Sequence, residues 1–381
     1  MDKYGYFMSS FFNVGMQKKK KLLLYFGNEN KVYNAKETEI KELSFLSDEE
    51  KTSFLMHREA FPLEKEWDRF IHSGIKSVAI NEENYPKSLV YLSDAPFSLF
   101  YLGDLPKKNE RLIAMVGARR ASEYGRVMSE EIAKHLTKNG FTIVSGMALG
   151  IDSASQSAAL EAGGRTYAVL GCSVDICYPM SKLTLYNEIL DGHGGIISEY
   201  PPGTLPQSKN FPPRNRIISG LSEKVLVMEA RKRSGSLITA DFALEQGRDI
   251  YALPGRITDP MSEGTNALIY QGAGIIRSKE ELLADLLELN ETLTTEESEY
   301  LKIKAAENSD KKTKSKKSKK NIPLSDEERT VYDAMDYYPI GIEELSDKTE
   351  IPFMNILPVI LSLAEKGLIA ERFKNEYTKI R

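Results

Sequence analysis

A chain of 381 residues is long enough for two or three domains. Its formal charge of −4, from 51 Lys and Arg against 55 Asp and Glu, excludes a uniformly basic nucleic-acid coat but not local clusters. Two cysteines exclude a disulfide scaffold, and the longest apolar runs are far too short to cross a bilayer, so the expectation is a cytoplasmic protein with no membrane contact.

Residues 1–98 read as a helical N-terminal region with an extended lead-in. Phe7, Phe11, Phe12 and the run from Leu22 to Phe26 supply apolar faces, and Ser47-Asp48-Glu49-Glu50 reads as a helix start. Lys18 to Lys21 follow the first apolar residues rather than precede them, which argues against a signal peptide, and they read as a solvated face. Residues 74–80 are strand-like, Tyr85-Pro86 and Ala95-Pro96 punctuate the lead-in, and Phe97 to Tyr101 is β-prone.

Residues 99–285 alternate strand and helix. Apolar runs at 112–116, 141–145, 165–170, 195–199, 224–229 and 249–253 predict strands, and 123–139, a segment from about Asp152, and 237–246 predict helices. That alternation predicts an α/β fold, a Rossmann-like, mostly parallel, doubly wound sheet covered on both faces. Phe211-Pro212-Pro213 is expected to stop the preceding segment, with Arg214, Asn215 and Arg216 opening a short helix at its positive end.

Residues 286–321 carry a lysine-rich run that cannot bury a core and predict a flexible linker. Residues 322–381 resume globular patterning: helices at 326–335, 342–349 and 354–366, then a hairpin from 368–373 and 377–380, the order of a winged-helix domain. The candidate recognition helix has Lys366 as its one cation and contains Pro358, which favours a protein-contact or accessory role over reading a major groove.

Neither the dinucleotide fingerprint GxGxxG after the first strand nor the phosphate loop GxxxxGK[ST] is present, and the four histidines form no HExxH. Cys172 and Cys177 are an incomplete zinc set, so no metal and no cofactor are expected. Asp152, Asp175, Glu199 and Glu229 sit at predicted strand ends; acid–base work is conceivable there, but capping helices or orienting arginines is the favoured role.

The positive residues carry more information. Arg119 and Arg120 follow the first parallel strand, Lys209, Arg214, Asn215 and Arg216 precede the fifth, and Arg231, Lys232 and Arg233 follow it. Gly117, Ser122, Ser145-Gly146 and Ser234-Gly235-Ser236 add hydroxyls and close-approach backbone, the last at a helix start suited to anions. In a parallel sheet these groups converge at the carboxyl edge, where ligands bind, and form a track for a polyanion.

At these residues the chain resembles the DprA/Smf family of DNA-processing proteins. The matching segments include VGARRAS (116–122), SGMALGID (145–152), AVLGCSVDICYP (168–179), GGIISEYPPGT (194–204), FPPRNRIISGLS (211–222), SGSLITADFALEQGRDIYALPG (234–255) and EGTNALIYQGAG (263–274). The resemblance covers about 75 to 280 and extends to the C-terminal module; the N-terminal part matches the family's SAM-like or helix-hairpin-helix-like domain only loosely. It implies a single-stranded-DNA-binding protein that protects incoming strands during natural transformation and loads RecA recombinase, with single-strand-binding protein as a further partner. Arg119, Lys209, Arg214 and Arg216 become phosphate contacts, with Gly117, Ser122, Gly146 and Ser236 lining the pocket.

The resemblance also implies a homodimer, and the surplus of apolar residues between Gly264 and Ile276 places its interface at Leu268, Ile269 and Ile275. Leu149 and Gln156 stand where many members carry arginine and histidine, which implies weaker affinity or salt dependence. Two readings compete: a phosphoribohydrolase-like nucleotide-cleaving enzyme, whose PGGxGTxxE loop is missing here, and a transcription regulator acting through the tail.

Overall fold

The computed structural model describes residues 1–288, 324–335, 340–349, 351–366, 368–373 and 376–379. They divide into two compact units, residues 1–121 with 128–283, and residues 122–127 with 284–381.

The first unit opens with short helices α1 (Lys3–Ser10), α2 (Met16–Phe26), α3 (Glu29–Asn34), α4 (Glu37–Glu42), α5 (Asp48–Ala60) and α6 (Leu63–Ile71). Several starts have a local cause. The Asp2 carboxylate accepts from the N–H groups of Tyr4 and Gly5, and Ser47 with Glu50 forms the capping box of α5. Phe7, Phe11, Leu22, Ile40 and Phe54 close their own core. The lysine run is not uniformly solvated. Lys19 is 5% exposed, because helical spacing puts it on the inner face of α2 with Met16 and Leu22.

A nine-stranded sheet follows, built from β1 (Lys76–Ala79), β2 (Ser98–Gly103), β3 (Arg111–Val116), β4 (Phe141–Ser145), β5 (Thr166–Val169), β6 (Gly194–Ser198), β7 (Lys224–Val227), β8 (Asp249–Ala252) and β9 (Gly274–Ile275). Its order is β1-β2-β6-β5-β4-β3-β7-β8-β9. The pairings among β3 to β9 are parallel, while β1 and β2 join antiparallel at one edge. Between strands run α7 (Lys87–Val90), α8 (Glu123–Lys138), α9 (Ile151–Glu161), α10 (Leu183–Leu190), α11 (Phe211–Leu221), α12 (Gly235–Glu245) and α13 (Glu263–Tyr270), and α14 (Lys279–Glu288) follows β9. Central strands such as β4 are buried along their whole length, which is why apolar residues occupy both of their faces. The Rossmann-like doubly wound fold is the one the alternation predicts.

Three local features differ from expectation. A short 3-10 turn, Ser208–Asn210, does end before Phe211-Pro212-Pro213, but the helix opens there rather than at Arg214: the three residues form the first turn of α11, where the N–H that proline lacks would have no helical partner. Arg214 and Arg216 therefore sit one turn inside the helix. Helix α10 and the edge strand β9 had no separate signal. Leu268 belongs to the interior, packed at 7% exposure in the core of the sheet, because α13 lays that face on its own domain.

In the second unit the helices Asp326–Ala334, Ile342–Thr349 and Phe353–Glu365 are followed by a three-stranded antiparallel sheet, order β10-β12-β11, of β10 (Ile340–Gly341), β11 (Ile369–Phe373) and β12 (Glu376–Lys379). Val331, Leu345, Ile356, Ile360 and Leu363 form its core. Lys366 pairs with Glu328 at 2.5 Å, a carboxylate also bound by Ser362 and held down to about 2 chiefly by the lysine. The expected lysine-rich linker falls, from 289 to 321, outside the described residues. Among the described residues no helix is long and apolar enough to cross a membrane, and no His, Cys, Asp or Glu cluster could hold a metal ion.

Candidate nucleic-acid interface

From β3 the chain winds outward through β4, β5 and β6, then returns to add β7 on the other side of β3. The loops leaving β3 and β7 thus part company at a topological switch point, where such sheets leave a crevice. A cleft of 590 Å³ occupies that position.

Its first wall is the loop after β3. Gly117 is required because a Cβ there would stand 2.6 Å from the Ile151 side chain, so only glycine lets α9 begin this close to the loop. Arg119 and Arg120 follow and are exposed on the rim. The opposite wall is the loop after β7, where Arg231 and Arg233 are exposed. Ser234 caps α12, its Oγ accepting from the Ser236 N–H at 3.4 Å and sharing a 2.7 Å hydrogen bond with the Ser236 hydroxyl. Gly235 then opens the helix, and the positive end of the α12 dipole faces the cleft.

The floor is supplied by α11. Arg214 is 4% exposed; its Nη1 donates to the carbonyl of Gly146 at 3.1 Å and to that of Val169, and its Nε donates to Asn215 Oδ1 at 3.1 Å. Gly146 has no side chain because a Cβ there would lie 2.6 Å from Arg214 Nη2. Burial pushes the Arg214 pKa down to about 10, against the pull of Asp152. Asp152 is buried and accepts from the Gly146 N–H at 3.2 Å; burial raises its pKa and Arg214 opposes that rise. Asn215 ties the floor to the far wall by donating to the Gly235 carbonyl at 3.3 Å.

One part of the cleft was missed from sequence. Tyr178 and Phe211 stack with ring centroids 5.4 Å apart and planes 27° off parallel, and the Arg119 guanidinium lies 5.5 Å from the Phe211 ring. Tyr178 is 42% exposed. The arrangement is a flat aromatic surface beside cations, and the available signal was an aromatic residue directly before Pro212-Pro213-Arg214.

Gly117, Arg119, Arg120, Arg214, Asn215, Arg231, Ser234, Gly235 and Ser236 therefore meet in one cleft. Others do not. Ser145 is fully buried and donates to the Met115 carbonyl at 2.6 Å. Ser122 starts α8, its Oγ accepting from the Gly125 N–H at 3.1 Å. Arg216 points away from the cleft to a bidentate pair with Glu199, at 2.8 Å on both oxygens, and to Asp94 at 2.9 Å. Lys209 is exposed and lines a second cavity that Arg216 shares. Of the carboxylates, Asp175 accepts from the Ser173 hydroxyl, Glu199 is engaged by Arg216, and Glu229 is 1% exposed. Ile269 is half-buried against the core, while Ile275 and Tyr270 are exposed.

Residues 76–287 match the family described as DNA recombination-mediator protein A. The chain is 43% identical over 223 residues to the DNA processing protein DprA of Streptococcus pneumoniae, covering 58% of this chain and 77% of that one. It is 44% identical over 209 residues to the Smf protein of Escherichia coli, covering 55% and 56% respectively. The crystal structure of the Streptococcus pneumoniae protein superposes with a TM-score of 0.64 at 36% identity, over 74% of this chain and 98% of that one. A structure of DNA processing protein A from Helicobacter pylori, described for its single-stranded DNA binding mode, superposes with a TM-score of 0.51 at 32% identity, over 56% of this chain and 96% of that one. With the match running through every strand that builds the cleft, the chain belongs to the DNA recombination-mediator protein A family.

Proposed function

We propose that this protein binds single-stranded DNA in the cleft at the switch point, protects incoming strands during DNA uptake, and loads RecA recombinase onto them. The observation that carries the reading is the cleft itself. Four exposed arginines, a helix N-terminus and an aromatic surface face one 590 Å³ space. Phosphates suit the guanidiniums and the helix end, and unpaired bases suit the Tyr178–Phe211 surface, whereas a duplex keeps its bases stacked and inaccessible. Side-chain sets for reading base pairs are missing from it, so the binding is expected to be nearly sequence-independent. The Helicobacter pylori relative's single-strand binding supports the same direction.

Binding rather than catalysis is proposed because Asp152 is engaged by backbone amides and Arg214, and Glu199 by Arg216, which leaves neither placed as a general acid or base. RecA recombinase and single-strand-binding protein are the proposed partners, with a second copy of this chain joined through the exposed Ile275 and Tyr270 at the β9 edge rather than through Leu268. We further propose that residues 322–381 act as a winged-helix module contacting protein, since Lys366, the cation expected at its recognition helix, is paired with Glu328.

A gel-shift titration with single- and double-stranded oligomers tests the reading. Tighter binding to the single strand, falling steeply with salt, is expected; equal or tighter duplex binding at moderate salt refutes it.

A further inference from the structure

Beside the cleft lies a second cavity of 540 Å³, lined among others by Phe12, Lys19, Glu199, Tyr200, Lys209 and Arg216. The lysine is its unusual feature. Lys19 carries three N–H donors, and among the described residues its one hydrogen-bond acceptor is the Met8 carbonyl at 2.7 Å. The faces of Phe97 and Phe12 lie 5.4 and 5.8 Å from the ammonium. Burying a cation with donors unmatched costs stability, and here that cation lines an open space. The nearby carboxylate cannot compensate it fully, because Glu199 is already held bidentate by Arg216.

The two cavities share a wall. In the turn from Ser208 to Pro213, residues Ser208, Phe211 and Pro212 line the first, and Lys209, Asn210 and Pro213 line the second. Each is also lined by an aromatic pair: Tyr178 with Phe211 in the first, and Phe12 with Tyr200, centroids 5.2 Å apart, in the second. Phe12 is 46% exposed, which leaves a face free for stacking.

We propose that the second cavity is a further subsite for the same single strand, taking one nucleotide whose base packs on Phe12 and presents acceptor atoms to Lys19, with Lys209 meeting the adjoining phosphate. The inference rests on the single-strand reading of the cleft and extends its path over the α11 turn. A base supplies what the site lacks, an apolar face with carbonyl or ring-nitrogen acceptors, and the exposed Lys209 stands where the backbone must cross the rim.

The test uses the full chain with oligothymidylates of about four and about twelve nucleotides, since the short strand fills one cleft and the long one reaches both. Phe12→Ala and Lys19→Met should each weaken the long oligomer on the order of tenfold, the loss of one stacked or hydrogen-bonded base, and leave the short one unchanged. Arg119→Ala should weaken both. Long oligomers carrying 5-iodouracil should photocrosslink to Phe12 or Tyr200 as well as to the first cleft. Because Phe12 is half exposed, its variant keeps the fold even if the lysine variant does not. Unchanged long-strand affinity in the Phe12 variant, with crosslinks confined to Tyr178 and Phe211, overturns the subsite. Failure of the unsubstituted chain to bind either oligomer overturns the single-strand reading, and the subsite falls with it.

Discussion

Arg214 and Arg216 lie two residues apart on α11 and end in different chemistry. Residues at this spacing point to nearly opposite sides of a helix. Arg214 turns toward the cleft, where carbonyl groups and Asn215 hold it and Asp152 attracts it from nearby without closing an ion pair. Arg216 turns toward the second cavity, where two carboxylates take its guanidinium. The first keeps a positive charge under the cleft; the second is neutralised within the fold. A cation count along the sequence treats the two alike, whereas the partners decide which one is left to attract a phosphate.

The largest effect should come from breaking the neutralised side. Arg216→Ala leaves Glu199 buried without its partner and should cost about 3–5 kcal/mol, the range for half of a buried ion pair. A urea titration measures it, and replacing Glu199 with leucine in the same chain should recover part of the loss. Affinity of the remaining folded protein for a short single strand should be unchanged. A drop in affinity without a drop in stability would return Arg216 to the set of phosphate contacts.

The buried lysine beside that pair gives the opposite sign. Burial lowers the Lys19 pKa from 10.5 to about 7, with Glu199 opposing the fall. Between those values the unfolded chain holds a proton that the folded one releases, so this group makes stability rise with pH across the window. Its cost is complete below pH 7 and disappears as pH approaches 10.5. Lys19→Met should therefore stabilise the protein at or below neutral pH by about 1–4 kcal/mol. The gain should shrink on the alkaline side. Melting temperatures on either side of the window check it, and a gain that does not vary with pH would mean that folding leaves the proton affinity of the lysine unchanged.

Arg119 sharpens the comparison from the cleft side. It is exposed, so Arg119→Ala should move stability by no more than about 0.5 kcal/mol while weakening single-strand binding by about 1–3 kcal/mol. The salt dependence should flatten too, because one fewer counterion is released. Arg119→Lys should restore only part of the affinity, since an ammonium cannot form the bidentate fork. Equal binding by all three proteins in a salt series would make this arginine ordinary surface.

What was legible in the sequence follows the range of the forces involved. The parallel sheet was readable because buried strands such as β3 and β4 carry apolar residues on both faces and their helices carry local stops. The meeting of Arg119, Arg214 and Ser234 was readable because one topology brings all carboxyl ends to one edge. The fate of Arg216 was not, because Asp94 lies in the lead-in and Glu199 after β6, and no local pattern announces that pairing. Lys19 was hidden for a related reason. A run of four lysines looks solvated unless its phase against Met16 and Leu22 is followed, and the cavity it lines is made by segments more than 70 residues away, including Phe97 and Tyr200. The aromatic pair of the cleft joins Tyr178 to Phe211 across two loops and left only compositional hints.

The smallest effect expected belongs to Ser234, which serves the cleft and the fold with the same oxygen. As the cap of α12 its hydroxyl satisfies the Ser236 N–H, one of the helix-start donors that otherwise lack partners. Ser234→Ala should cost about 1 kcal/mol of stability and Ser234→Gly only a few tenths, because glycine lets water reach the exposed helix end. Affinity should separate the roles. If the helix end itself attracts the phosphate, both variants bind the short strand nearly as well as the parent, since the amides remain in place. If the hydroxyl donates directly, both lose affinity equally although only alanine loses stability. Measuring unfolding and binding on the same pair of proteins therefore assigns the site to the backbone or to the side chain.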